Sequence, residues 1–180
     1  HEAGEVVPRD QVFSTASSSG TYSGFSNVFR YRLLRSHDVI WVDTDVLAGN
    51  TALPERTYLF GWESKHRVNG AVLGAPRESL FLEELDRSAS GADPSGLKWG
   101  QIGPRLITEV AGRQNLFGEA LGTEKLYPIG FRDTWKLFSP RRTEELEQST
   151  SAAAAVHLWN EVMRRASRPI KHGWPHPASF

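Results

Sequence analysis

The sequence contains no cysteine among its 180 residues, which excludes a disulfide framework, a thiolate zinc site and a cysteine nucleophile together. The redox compartment stays open, because a chain without thiols folds equally well in either. Net charge is lacking too: 21 basic side chains balance 21 acidic ones, so no overall field draws the protein onto nucleic acid or an anionic membrane. Any anion it binds is caught locally. An unbroken apolar run of the ~18 residues needed to span a bilayer is missing, and residues 1 to 15 lack the basic-then-apolar form of a signal peptide. No transmembrane segment is expected in the chain, and the cytoplasm or the periphery of a membrane suits it. Methionine occurs once, at Met163, and position 1 is histidine, so an amino-terminally incomplete chain is expected.

What is present is ordinary for a folded domain. Apolar residues make up 39% and charged residues 23%, and this length suits one domain with its own core. No internal repeat or second domain is visible, so residues 1–180 read as a single unit. Residues 14–24 are small, polar and glycine-punctuated, after which Phe25, Val28, Phe29 and Leu33 recur with the spacing of one helical face. Val39 to Val42 is a β-branched and aromatic run of the kind found in a strand buried on both faces. Further strands are expected at Thr57 to Trp62 and Ala71 to Ala75, followed by a helix from Pro76 to Asp86. Residues 88–100 suit an exposed loop and Pro104 to Arg113 a helix. Between Glu144 and Trp159 the alanines favour helix, whereas Ala-Val-His-Leu-Trp suits a strand. The alternation is an α/β pattern.

The chemistry-bearing feature is Asp43-Thr44-Asp45, where the Val39–Val42 strand runs out. Residues i and i+2 of a strand point to one face, so Asp43 and Asp45 would present two carboxylates to one point. Magnesium and manganese prefer oxygen ligands and keep positions open for phosphate. Such a pair at a strand's carboxyl end can therefore clamp a diphosphate. Alone, Asp-x-Asp is a weak pattern, and a solvated turn explains it equally well. Arg30 lies beside the apolar stripe of the preceding helix and could reach a phosphate or sugar. Arg32 and Arg35 read as surface arginines.

The segment GFSNVFRYRLL followed by VIWVDTDVLAG resembles the core of the Asp-x-Asp sugar transferases that include the α-1,4-galactosyltransferases. NGAVLGAP at 69–76, GQIGPRLITEV at 100–110, LYPIGF and SAAAAVHLWN resemble that family's later landmarks, in order, from about residue 22 to 160. The resemblance implies an α/β fold with a Rossmann-like mixed sheet of the glycosyltransferase A type, lacking here its first amino-terminal strands. It also implies a nucleotide-sugar donor, such as a UDP-sugar, a manganese or magnesium ion, a glycan or lipid-linked glycan acceptor, and transfer with retention. Position by position, Asp43 and Asp45 match the metal and diphosphate motif, and Arg30 matches an arginine that contacts the donor. His157 matches the histidine of a terminal His-x-Trp-Asn motif that can complete the metal shell. Asn69, Trp159 and Asn160 become donor-contact candidates, and Gln101 and Gly103 lie where donor or acceptor could be met.

Three departures stand out. Ser26-Asn27 occupies a place where many relatives have Ser-Asp. Asparagine can hydrogen-bond a donor but cannot act as a base at neutral pH, which leaves donor identity open. Ser36-His37-Asp38 stands where relatives commonly show paired glycines, and the strands that open relatives have no counterpart before His1. Of the remaining histidines, His172 and His176 lie in a proline- and glycine-broken tail that does not suit a zinc site. Two other readings fit the aspartate pair. A metal-dependent nucleotidyl- or phosphotransferase would favour a third clustered carboxylate, and none is evident near Asp45. A non-catalytic carbohydrate-binding module, or a degenerate transferase, would keep the fold without turnover.

Overall fold

The protein is described through a computed structural model covering residues 3–15 and 21–165. The His172 and His176 tail and part of the 14–24 loop lie outside the described residues. Six α-helices and five strands are present among the described residues: α1 (Ser23–Ser36), β1 (Trp41–Val42), β2 (Val46–Ala48), β3 (Leu59–Ser64), β4 (Arg67–Gly74), α2 (Leu80–Ser90), α3 (Leu106–Arg113), α4 (Thr123–Leu126), α5 (Thr143–Thr150), β5 (Ala155–His157) and α6 (Asn160–Arg165). The α/β character expected from the sequence is present. The strands form two antiparallel sheets, one ordered β1-β4-β3 and one pairing β2 with β5. A parallel bridge joins Gly61 to Leu121.

β4 is the centre of the fold because it is covered on both faces. Val68 and Leu73 pack with Tyr31, Phe81, Leu85 and Ile107 from the α1, α2 and α3 side. Ala71 and Val72 pack with Leu126, Tyr127, Ala155 and Trp159 on the other. A strand buried on both faces reads as an apolar run rather than an alternation, which is why only Ala71 to Ala75 stood out. The strand actually starts at Arg67 and closes a hairpin with β3.

Several expectations are corrected. Val39 to Val42 is not a strand buried on both faces: only Trp41 and Val42 pair, with Leu73 and Val72. Val39, Ile40 and Val42 are 45%, 50% and 45% exposed. Among the described residues β1 has β4 on one edge and no layer over those side chains. The α1 helix is present, but its buried face is Gly24, Val28, Tyr31 and Leu34, a rotation from the stripe read in the sequence. Tyr31 sets this face, since its hydroxyl donates to the Ile102 carbonyl at 2.9 Å. Phe25 and Phe29 flank it, packing against Phe13 and Trp41. The α2 helix begins at Leu80 rather than Pro76, because the Ser79 hydroxyl accepts the Leu82 N–H and caps it. Pro76 lies in the preceding turn, its carbonyl accepting from the Ser79 N–H. Between residues 144 and 159 both readings hold in succession, helix α5 and then strand β5.

Candidate functional site

Asp43 and Asp45 sit in the turn that carries the chain from β1 in one sheet to β2 in the other. Each end of the turn is tied down separately. The Asp43 N–H donates to the Ala71 carbonyl of β4 at 2.7 Å, and the Leu158 N–H beyond β5 donates to the Asp45 carbonyl at 2.9 Å. Pairing of Val46 with His157 then brings the imidazole beside the turn. One ligand atom from each of Asp43, Asp45 and His157 lies within 4.8 Å of the other two. The sequence expected the two aspartates to converge as neighbours on a strand face; they converge through a turn held between two sheets.

Each aspartate is gripped by one oxygen. Asp43 Oδ1 accepts from Arg30 Nη2 at 2.6 Å and from the Trp41 indole N–H at 2.5 Å. Asp45 Oδ2 accepts the backbone N–H of Asn160 at 2.8 Å. Asp43 Oδ2 is left for a ligand, while Asp45 Oδ1 lies 3.3 Å from His157 Nε2. Protein groups holding one oxygen orient the other, as outer partners do in metal sites. The aspartate turn therefore has the donor set of a small divalent-cation site, two carboxylates and an imidazole.

Arg30 reaches inward as expected: it is 6% exposed and its guanidinium lies 5.0 Å from the Trp41 ring. Room for it comes from Gly70, where an added Cβ would stand 2.8 Å from Arg30 Nη1 and 2.5 Å from Ile107 Cδ1. Burial pushes the Asp45 carboxyl up, but the hydrogen bonds and charge of His157 and the Asn160 N–H outweigh it and hold the carboxyl below its usual value. His157 Nδ1 is buried without a hydrogen-bond partner. In a neutral imidazole with Nε2–H donating to Asp45 that orphan is an unmet acceptor, which carries a desolvation cost of its own. With Nε2 on a metal it becomes an N–H, and leaving such a donor unmade costs about 1–3 kcal/mol.

The other candidates divide. Trp159 is 6% exposed, donates its indole N–H to the Ile129 carbonyl at 2.7 Å and packs 4.2 Å from the His157 ring. It is a core residue behind the imidazole. Its backbone has φ +55°, a left-handed conformation that strains a non-glycine residue, and this turn aims the Asn160 N–H at Asp45. Asn160 thus serves the site through its backbone, which side-chain reasoning missed. Asn69 is buried, with Oδ1 accepting the Ala71 N–H at 2.7 Å and Nδ2 donating to Glu63 at 2.6 Å. Asn27 donates to the Ser23 carbonyl at 2.8 Å and lies 3.1 Å from where a Cβ on Gly103 would be. Arg32 and Arg35 both pair with Asp86, away from the aspartate turn, in keeping with their surface reading. Trp41 and Glu63 went unnoticed in the sequence. Trp41 lies two residues from Asp43, and an alternate-residue rule could have found it.

Residues 95–173 match the "Alpha 1,4-glycosyltransferase conserved region". The chain is 33% identical over 147 residues to the lactosylceramide 4-alpha-galactosyltransferase of Rattus norvegicus, covering 76% of this chain and 40% of that one. It is 31% identical over 147 residues to the Homo sapiens protein of the same name, covering 76% and 41%. The chain therefore spans about 40% of the length of these curated relatives. No solved structure gives a significant match. With the conserved region matched near its carboxyl end and these relatives across 76% of its length, the chain is similar in sequence to α-1,4-glycosyltransferases.

Proposed function

We propose that this chain forms the metal-binding part of a nucleotide-sugar-dependent glycosyltransferase with a Rossmann-like fold of the A type. Under this reading a UDP-sugar is the donor, a glycan or lipid-linked glycan the acceptor, and transfer proceeds with retention. Lactosylceramide in the relatives' name supports an acceptor of the glycolipid class, and their 4-alpha-galactosyl transfer supports galactose as the first sugar to test.

The observation that carries the reading is the convergence of Asp43, Asp45 and His157 within 4.8 Å, with His157 inside the span that matches the conserved region. The donor set fits manganese or magnesium: hard carboxylate oxygens suit both ions, and an added imidazole is accepted more readily by manganese. A bound ion would supply positive charge to a departing nucleoside diphosphate. Asp43 and Asp45 would hold it, with His157 completing the shell. Arg30 and Trp41 fix the Asp43 carboxylate, and the Asn160 N–H fixes that of Asp45, so the site is organised before ligand arrives. Asn27, Asn69 and Asn160 would line the donor's sugar side, with Trp159 packed behind the imidazole. Catalysis here is positional and electrostatic.

The test is release of UDP from UDP-galactose by the purified chain, with and without Mn²⁺. The reading expects metal-dependent release, abolished in Asp45→Asn while the fold persists. A folded parent that releases no UDP from any of a panel of nucleotide-sugars would instead support a non-catalytic carbohydrate-binding module.

A further inference from the structure

We propose that Glu63 is a positioning residue of this site, acting through the carboxamide of Asn69 on the sugar end of the donor; the inference rests on the glycosyltransferase reading above.

Glu63 stands on β3 beside the β4 segment that faces the aspartate turn. Its side chain is only 7% exposed, and its charged neighbour, Arg67, lies 3.7 Å away on a half-exposed side chain. Burying a carboxylate with so little compensation is costly. The short contact it makes is to Asn69, whose Nδ2 donates to Glu63 Oε2 at 2.6 Å. The other end of the same carboxamide is committed, since Asn69 Oδ1 accepts the Ala71 N–H at 2.7 Å. A carboxylate only accepts, so the amide cannot flip. Glu63 therefore fixes which end of Asn69 is nitrogen and which is oxygen, and leaves one N–H unspent.

Asn69 and the two residues after it run alongside the site. Asn69 is locked by Glu63, Gly70 packs against Arg30, and Ala71 accepts the Asp43 N–H. Glu63 is close enough to feel the charge of His157, and burial raises its carboxyl above the usual value. A costly buried carboxyl beside a candidate site, spent on orienting one amide, is the pattern of outer partners that tune ligand groups. No sequence signal marks Glu63, because its role depends on a hairpin register that pairs Gly61 with Asn69.

The experiment is calorimetric titration of the full chain with UDP and with UDP-galactose, each with Mn²⁺. Glu63→Ala is expected to keep parental affinity for UDP and to lose about tenfold on UDP-galactose. Glu63→Gln, whose side-chain carbonyl still accepts from Asn69, is expected to restore most of that loss. Glu63→Asp, too short to reach, is expected to behave like Glu63→Ala and serves if the alanine variant does not fold. In an Asn69→Ala background, removing Glu63 should cost nothing further. A merely structural role would not change the sugar increment while sparing UDP. Parental UDP-galactose affinity in Glu63→Ala or Glu63→Asp, or losses that add in full to Asn69→Ala, would overturn this inference alone. A folded parent that binds neither UDP nor UDP-galactose would overturn the donor reading and this inference with it.

Discussion

At the scale of single residues, the site is a set of carboxyl groups held in opposed states. The Asp45 carboxyl lies below its usual value: burial raises it, and His157 and the Asn160 N–H more than reverse that. A depressed folded pKa contributes stability that is present above the unfolded pKa and is lost as pH falls through the folded one. Metal-free parent should therefore lose stability on acidification more steeply than Asp45→Asn in urea unfolding from pH 7 to pH 3. Glu63 has the opposite sign, being raised chiefly by burial. Its contribution is most favourable at low pH and is lost as pH rises through the folded pKa. Glu63→Gln should thus be more stable than the parent at pH 7.5, with the difference vanishing at pH 4. Arg30 is the third case. Its guanidinium bonds Asp43 at 2.6 Å and lies against Trp41, two tasks that an ammonium cannot share. Arg30→Ala strips a mostly buried partner from Asp43 and should cost about 3 kcal/mol; Arg30→Lys should fold and yet lose metal affinity by about 10–100-fold.

At the scale of elements, the β3–β4 hairpin and α1 are the parts whose placement matters most. Gly70 lets α1 send Arg30 across the sheet, and a Cβ there would first meet the ends of two side chains, Arg30 and Ile107. Gly70→Ala should therefore fold, at a cost of about 1–3 kcal/mol for overpacking, while displacing Arg30 and lowering metal-dependent activity. Ser79→Ala is the control: it removes the α2 cap at about 1 kcal/mol, and donor binding should not change. What the sequence showed and what it hid follow from the range of each interaction. The inward turn of Arg30, the pairing of Asp43 with Asp45 and the candidacy of His157 were legible, the last only through family resemblance. The grip of Trp41 on Asp43, the Asn160 backbone contact and the Glu63–Asn69 bond were not, because each depends on a register or turn that no local pattern encodes. The misplaced α1 face has the same origin. Phe25 and Phe29 look like core by hydrophobicity, yet Tyr31 is drawn inside by a hydrogen bond to Ile102, 71 residues away.

At the scale of the whole molecule, the aspartate turn joins two antiparallel sheets rather than crowning a parallel one. Its geometry depends on β5, late in the chain, pairing with β2, so the site exists only when the carboxyl-terminal region is folded onto the rest. No helix among the described residues is long and apolar enough to cross a membrane. The chain spans about 40% of its relatives' length, and the proposed function requires that span to hold a metal ion and a donor diphosphate. Calorimetric titration of UDP into the chain tests this most directly, with and without Mn²⁺, for the parent and for Asp43→Ala. Binding is expected in the parent only when the ion is present, and none in a folded Asp43→Ala. Metal-independent UDP binding, or metal-dependent binding that survives loss of Asp43, would contradict it.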